Sequence, residues 1–175
     1  MAPKHEFNIL IVEDEVQIAK IMKTYLSMYK GFKRIVIAYD GVEAMQKLNN
    51  QEFDLIITDI VMEKRSGLKF IDGLRKVPRY YNQKIVVVSG CLTSEMTMAC
   101  MRKGVRHVVV KPFTARQILL KAIQALEITK KAEAFVEQII GKVTERLMED
   151  KERMSSAIAD EEVLSMIKKS RGDKG

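Results

Sequence analysis

The sequence predicts an α/β domain with a five-stranded, doubly wound parallel sheet, followed by a long α-helical extension. Three observations carry this. Short runs of Ile, Val and Leu recur along the first part of the chain, as strands buried on both faces do. Segments with apolar residues at helical spacing separate them, and strict alternation of strand and helix specifies a parallel sheet covered on both sides. From Ala115 to Ala157 there is no proline and Gly141 is the sole glycine, while apolar residues continue.

In order, Phe7-Asn8-Ile9-Leu10-Ile11-Val12 is strand one and ends in Glu13-Asp14-Glu15. Val16, Ile18, Ala19, Met22, Leu26 and Tyr29 place helix one over about 15–29, with Gly31 as its stop. Lys33 to Tyr39 is strand two. Asp40 is positioned to cap helix two, which runs through Val42, Met45 and Leu48. Leu55-Ile56-Ile57-Thr58-Asp59 is strand three, and Ser66-Gly67 leads into helix three before Pro78. Ile85-Val86-Val87-Val88-Ser89-Gly90 is an unbroken β-branched strand four. Helix four opens at Thr93 and ends near Gly104. Strand five, Arg106 to Val110, ends in Lys111-Pro112-Phe113, and Thr114 opens helix five. The spacing expects the domain to close over 1–126 and an extension over 127–175.

The hydrophobic fraction of 47% supports a core, and no stretch reaches the length of a membrane span. The N-terminal residues show no signal-peptide pattern. Were Cys91 and Cys100 on one helix, they would lie about 13 Å apart along it, too far for a disulfide. These features point to a cytoplasmic protein. The net charge is +7; residues 1–126 hold 20 basic and 12 acidic side chains, and residues 127–175 hold 10 and 11. The basic residues form no long run, so the charge reads as solubility or attraction of an acidic partner rather than as a nucleic-acid footprint.

Parallel strands aim their C-terminal ends at one rim, where open α/β sheets bind ligands. Strand one delivers Glu13 and Asp14, strand three Asp59, strand four Ser89 and strand five Lys111. Taken singly, each has a plainer reading: Asp59 a turn or helix cap, Glu13 and Asp14 a favourable charge at a helix start, Ser89 a turn residue, Lys111 a solvated loop. Together they form a charge set with a logic. Three carboxylates repel one another unless neutralised. Lys111 supplies one charge, and Mg²⁺ would supply the rest, since it favours oxygen ligands and substrate phosphate. Such a site suits phosphoryl transfer to a carboxylate.

The order Ile-Val-Glu-Asp-Glu, Asp59-Ile-Val-Met62 with Gly67 eight residues on, Val-Val-Val-Ser89-Gly and Lys111-Pro112-Phe113 resembles the receiver domain of two-component response regulators over roughly residues 6–126. The resemblance implies a flavodoxin-like fold, with Asp59 as phosphoacceptor from a sensor histidine kinase. It further implies Mg²⁺ held by Glu13, Asp14, Asp59 and the carbonyl of Val61, with Asp14 the direct ligand and Glu13 acting through water. Ser89 is implied as the hydroxyl that turns to the phosphoryl group, Lys111 as its cationic partner, and Lys111-Pro112 as a cis peptide. Two positions depart from the family. Glu63 stands where proline usually follows the methionine, and Val108 stands where an aromatic residue usually precedes the lysine by three. His107 points to the face opposite Val108 by strand alternation, toward solvent or a partner.

Helix five is expected to run straight into the extension. A spacing near 3.5 puts Leu126, Thr129, Glu133, Val136, Ile140, Val143, Leu147, Asp150 and Met154 on one seam, whose apolar part is Val136 to Leu147. Asp160-Glu161-Glu162 reads as a new helix start. The seam supports a homodimer or a downstream protein target, with folding back on the domain as the plainer alternative. The other functional alternative is a transcription regulator whose C-terminal helices bind DNA; the net −1 of the extension and its lack of a helix-turn-helix argue against it. No His, Cys or Gly-rich loop in the extension supports a separate output enzyme.

Overall fold

The computed structural model describes residues 6–62 and 66–172, with side chains as far as 153. It divides into two compact units, Met1–Val136 and Glu137–Gly175.

The first unit is a parallel five-stranded sheet in the order β2-β1-β3-β4-β5. The strands are β1 (Phe7–Val12), β2 (Phe32–Ala38), β3 (Leu55–Asp59), β4 (Lys84–Ser89) and β5 (His107–Val110). Between and after them lie α1 (Val16–Ser27), α2 (Gly41–Asn50), α3 (Gly67–Arg75), α4 (Ser94–Arg102) and α5 (Ala115–Ala125), with a short 3₁₀ turn at Pro78–Tyr80.

Strand alternation sorts the core into two layers. Leu10, Val12, Ile56 and Val87 face Ala44, Leu48, Phe70, Ile71, Leu74 and Cys100 of α2, α3 and α4. The other face of the sheet, with Ile9, Ile11, Leu55, Ile57, Val86 and Val88, is equally buried, and so are Ala19, Met22 and Leu26 of α1 and Ile118, Leu119, Ala122 and Ile123 of α5. The helix starts follow from their caps. Asp40 accepts from the amides of Val42 and Glu43, Thr93 from Met96, and Thr114 forms a reciprocal capping box with Gln117.

Two expectations about the extension are corrected. Helix five does not run on: α5 ends at Ala125 and α6 (Lys130–Gly172) begins after a break. The stop has no glycine. Glu127 takes φ 57°, and the amide of Ile128 reaches back to the carbonyl of Ile123 at 3.1 Å, a six-residue closure of the helix end. Nor does a new helix start at Asp160, since α6 is continuous through it; the acidic cap signal is outweighed by flanking residues that favour helix. The start of α6 belongs to the first unit, where Val136 and Ala132 are buried and Phe135 makes an edge contact with Tyr29. The second unit is the remainder of α6. Leu147 and Met148 on it are 64% and 61% exposed.

Candidate phosphoacceptor site

The site lies at the C-terminal rim, where β1 and β3 are neighbours. Val12 pairs with Thr58, so the next residues, Glu13 and Asp59, emerge side by side. Asp59 pairs with Val88, and Ser89 with Val110. The amide of Lys111 donates to the carbonyl of Ser89 at 2.8 Å. Register alone therefore brings together residues scattered over nearly a hundred positions.

Lys111 Nζ donates to Asp59 Oδ2 at 2.6 Å and to Glu13 Oε1 at 3.0 Å. Asp59 Oδ1 accepts from the amide of Val61 at 2.9 Å. Asp59 and Glu13 are 4% and 0% exposed, so both carboxylates are held out of water. Glu13 Oε2 lies 2.8 Å from the same ammonium, an ion-pair distance, yet at an angle that makes it no hydrogen-bond acceptor. Burial pushes the Glu13 carboxyl up from its usual range, and Asp59 adds to the rise; Lys111 opposes it without cancelling it. For Lys111, burial acts to lower the pKa, but hydrogen bonds to Asp59 and Glu13 outweigh it and the net direction is up.

Glu13, Asp14 and Asp59 each present an oxygen, all within 4.8 Å of one another. The Lys111 ammonium bonds two of these carboxylates, Glu13 and Asp59. Three carboxylate oxygens this close together are the kind of donor set that can hold a divalent, oxygen-seeking cation.

Ser89 is fully buried, but its hydroxyl donates to the carbonyl of Cys91 at 3.0 Å and accepts from the Cys91 amide at 3.3 Å. It is turned to its own loop. Val61 is 55% exposed at the mouth of the site. Lys111-Pro112 is cis. Val108 packs against the core layer of α2, α3 and α4. His107 stands at the start of β5, at the opposite end of the sheet from Lys111. Glu63 lies outside the described residues. Cys91 precedes α4 and Cys100 is inside it; both are free thiols.

Two residues gain roles that the sequence reading missed. A Cβ on Gly67 would lie 1.9 Å from the backbone oxygen of Asp59, so only glycine lets α3 start this close to the end of β3. Its amide donates to the carbonyl of Ile60 at 2.8 Å. Thr58 is buried, and its hydroxyl donates to the carbonyl of Asp59 at 3.0 Å. The sequence shows both residues but not the close approach that needs them.

Comparison with known proteins gives the family. The family described as the response regulator receiver domain matches residues 9–124. The chain belongs to that family. Hybrid signal transduction histidine kinase D of Dictyostelium discoideum is 27% identical over 141 residues, covering 81% of this chain and 9% of the relative. The transcriptional regulatory protein CitT of Bacillus subtilis is 29% identical over 117 residues, 65% of this chain and 51% of the relative. The receiver thus spans between 9% and 56% of the first curated relatives it matches. Among solved structures, chemotaxis protein CheY4 of Vibrio cholerae superposes with a TM-score of 0.63 at 26% identity, over 69% of this chain and 98% of that one. Among the described residues no helix is long and apolar enough to cross a membrane.

Proposed function

We propose that this receiver accepts a phosphoryl group on Asp59 from a sensor histidine kinase and passes the signal on through its helical extension. The observation that carries the reading is the Lys111 ammonium, bonded to both Asp59 and Glu13 beside a cluster of three carboxylates.

A carboxylate oxygen of Asp59 attacks phosphorus, and the phosphorus–nitrogen bond to the kinase imidazole breaks as the new phosphorus–oxygen bond forms. Lys111 stays protonated throughout and follows the charge from the carboxylate to the phosphoryl oxygens. The amide of Val61, already donating to Oδ1, holds the acceptor in place. The Ser89 hydroxyl leaves the Cys91 carbonyl and donates to the phosphoryl group, which moves the loop before α4. Glu13, Asp14, Asp59 and the Val61 carbonyl are the residues that would hold Mg²⁺. Bound there, Mg²⁺ neutralises charge on the transferred group and on the carboxylates. The chemistry is confined to loading and unloading Asp59, with no separate output enzyme in residues 127–175.

For output, residues 1–126 form the phosphoacceptor and 127–175 the element that meets a downstream protein or a second copy of the chain. Leu147 and Met148 stand exposed on α6, and apolar side chains on a lone helix favour a partner. The names of relatives such as CitT favour a second reading, transcription regulation. Against it, residues 130–172 form one helix and leave no helix-turn-helix within that span.

Beryllofluoride, a phosphoryl mimic, tests the site. With Mg²⁺ present, the reading expects the Ser89 and Cys91 amides to shift in NMR spectra, and Asp59→Asn to abolish the shift. Unchanged spectra for the wild type, or equal shifts in the variant, contradict it. Mass measurement of the full chain with and without beryllofluoride tests the partner role of α6.

A further inference from the structure

The opposite end of the sheet holds a second feature that phosphoacceptor chemistry does not use. A cleft of about 750 Å³ opens where α3 and α4 end and where β4 and β5 begin. That is the size of a small-molecule site. Five basic side chains line it, Arg75, Lys84, Arg102, Lys103 and Arg106, against two carboxylates, Asp72 and Glu127.

The carboxylates do not neutralise the cleft. Asp72 is shared between Lys103 at 2.6 Å and Lys76 at 3.1 Å. Glu127 stands 3.5 Å from Lys84, with 82% of its side chain exposed. Arg75 spends its hydrogen bonds on carbonyls, so its charge remains. Among the described residues no carboxylate pairs with Arg102 or Arg106, which flank the turn at Gly104 (φ 75°). The C-terminal ends of α3, α4 and α5 gather here, and their dipoles account for part of this charge, at roughly half a unit per helix. Arg102 and Arg106 together exceed that share, and both project from one short turn. Tyr81 lines the same cleft with 61% of its surface exposed, an aromatic wall beside guanidinium groups.

We propose that this cleft binds a phosphorylated small molecule, with Arg102 and Arg106 gripping the phosphates and Lys84 leaving Glu127 to join them.

His107 reports on the site from within. It lines the cleft, and its imidazole is held below the ordinary histidine range by burial first, then by Lys121, Arg106 and Lys84, with Glu127 pulling the other way. A phosphate beside Arg106 and Lys84 cancels their effect, so binding raises the His107 pKa.

The experiment follows the His107 ring protons by NMR in the full chain without Mg²⁺, titrating pyrophosphate and, separately, ADP. A saturable rise in the His107 pKa is expected in the wild type and in Asp59→Asn, which separates this site from the phosphoacceptor. Arg102→Gln/Arg106→Gln is expected to weaken binding about tenfold or more. Glu127→Gln is expected to tighten it by releasing Lys84. Lys20→Gln/Lys23→Gln, an equal charge loss on exposed positions of α1, is expected to change nothing. Equal affinity for the two probes assigns the site to phosphates alone, and tighter ADP binding adds a ring against Tyr81; both support it. A His107 pKa that does not move, or an equal response in the double arginine variant, overturns the proposal. A loss of binding in the α1 control matching that of the arginine variant also overturns it.

Discussion

Lys111 and Arg75 are partly buried cations at opposite ends of one sheet, and their partners differ in kind. Lys111 holds two carboxylates, at 2.6 and 3.0 Å. Arg75 holds the carbonyls of Lys103, Tyr80, Tyr81 and Gln83, at 2.8 to 3.1 Å. A cation between carboxylates can follow charge as it shifts between them. A guanidinium spread over four carbonyls stitches α3 to the ends of α4 and the 3₁₀ turn, and has nothing to follow. The pKa directions agree: carboxylate partners lift Lys111, whereas burial, slightly offset by Tyr81, lowers Arg75. The nature of the partner, rather than burial of the cation, marks the chemical end of the domain.

The largest effect expected from breaking this contrast is at Lys111. Lys111→Met strands two buried carboxylates and is expected to cost about 3–5 kcal/mol in urea unfolding at pH 7 without divalent ions. The loss shrinks as pH falls, because Glu13, whose carboxyl is already raised, takes up a proton. In the wild type the sign at high pH is also set. A raised Lys111 pKa means its stabilising contribution is fully present below its ordinary value of 10.5 and is lost as pH rises through the folded value.

Arg75→Ala leaves carbonyls unpaired and is expected to cost about 2–3 kcal/mol. Its cost stays flat between about pH 5 and 8, because no carboxylate among the described residues is its partner. A pH-dependent loss at Arg75 matching that at Lys111 breaks the comparison.

Smaller and opposite in sign is Glu13→Gln. The folded pKa of Glu13 is raised from 4.5, so the charged form is disfavoured by folding. The favourable contribution present below 4.5 is lost as pH rises through the folded value. Removing the charge is expected to stabilise the metal-free protein by about 1 kcal/mol at pH 7, with no gain at pH 4. Urea midpoints at the two pH values check this.

Glu52→Gln sets the floor. Glu52 meets Arg79 at 3.3 Å with both side chains more than half exposed, and the change is expected to stay within about 0.5 kcal/mol.

The sequence made the strand ends legible because β-branched runs stop at charged residues, and parallel topology then collects those ends at one rim. Glu13, Asp14, Asp59, Ser89 and Lys111 lie at or just past those ends. Local caps such as Asp40 and Thr114 were legible for the same reason: the hydrogen bonds lie within three residues. Two of the misses depend on distant partners. Nothing near Gly67 shows that Asp59 O would lie against its Cβ, and nothing near Arg75 shows the carbonyls it gathers. The break after α5 uses Glu127 in a left-handed conformation, where Gly or Asn is the usual signal, so helical spacing read through it.

Mass spectrometry tests phosphorylation of Asp59 directly. The full chain is incubated with acetyl phosphate and Mg²⁺, and the phosphopeptide is mapped before the acyl phosphate hydrolyses. One phosphoryl group is expected on the peptide containing Asp59, absent in Asp59→Asn and absent when Mg²⁺ is chelated. Equal labelling of Asp59→Asn contradicts it.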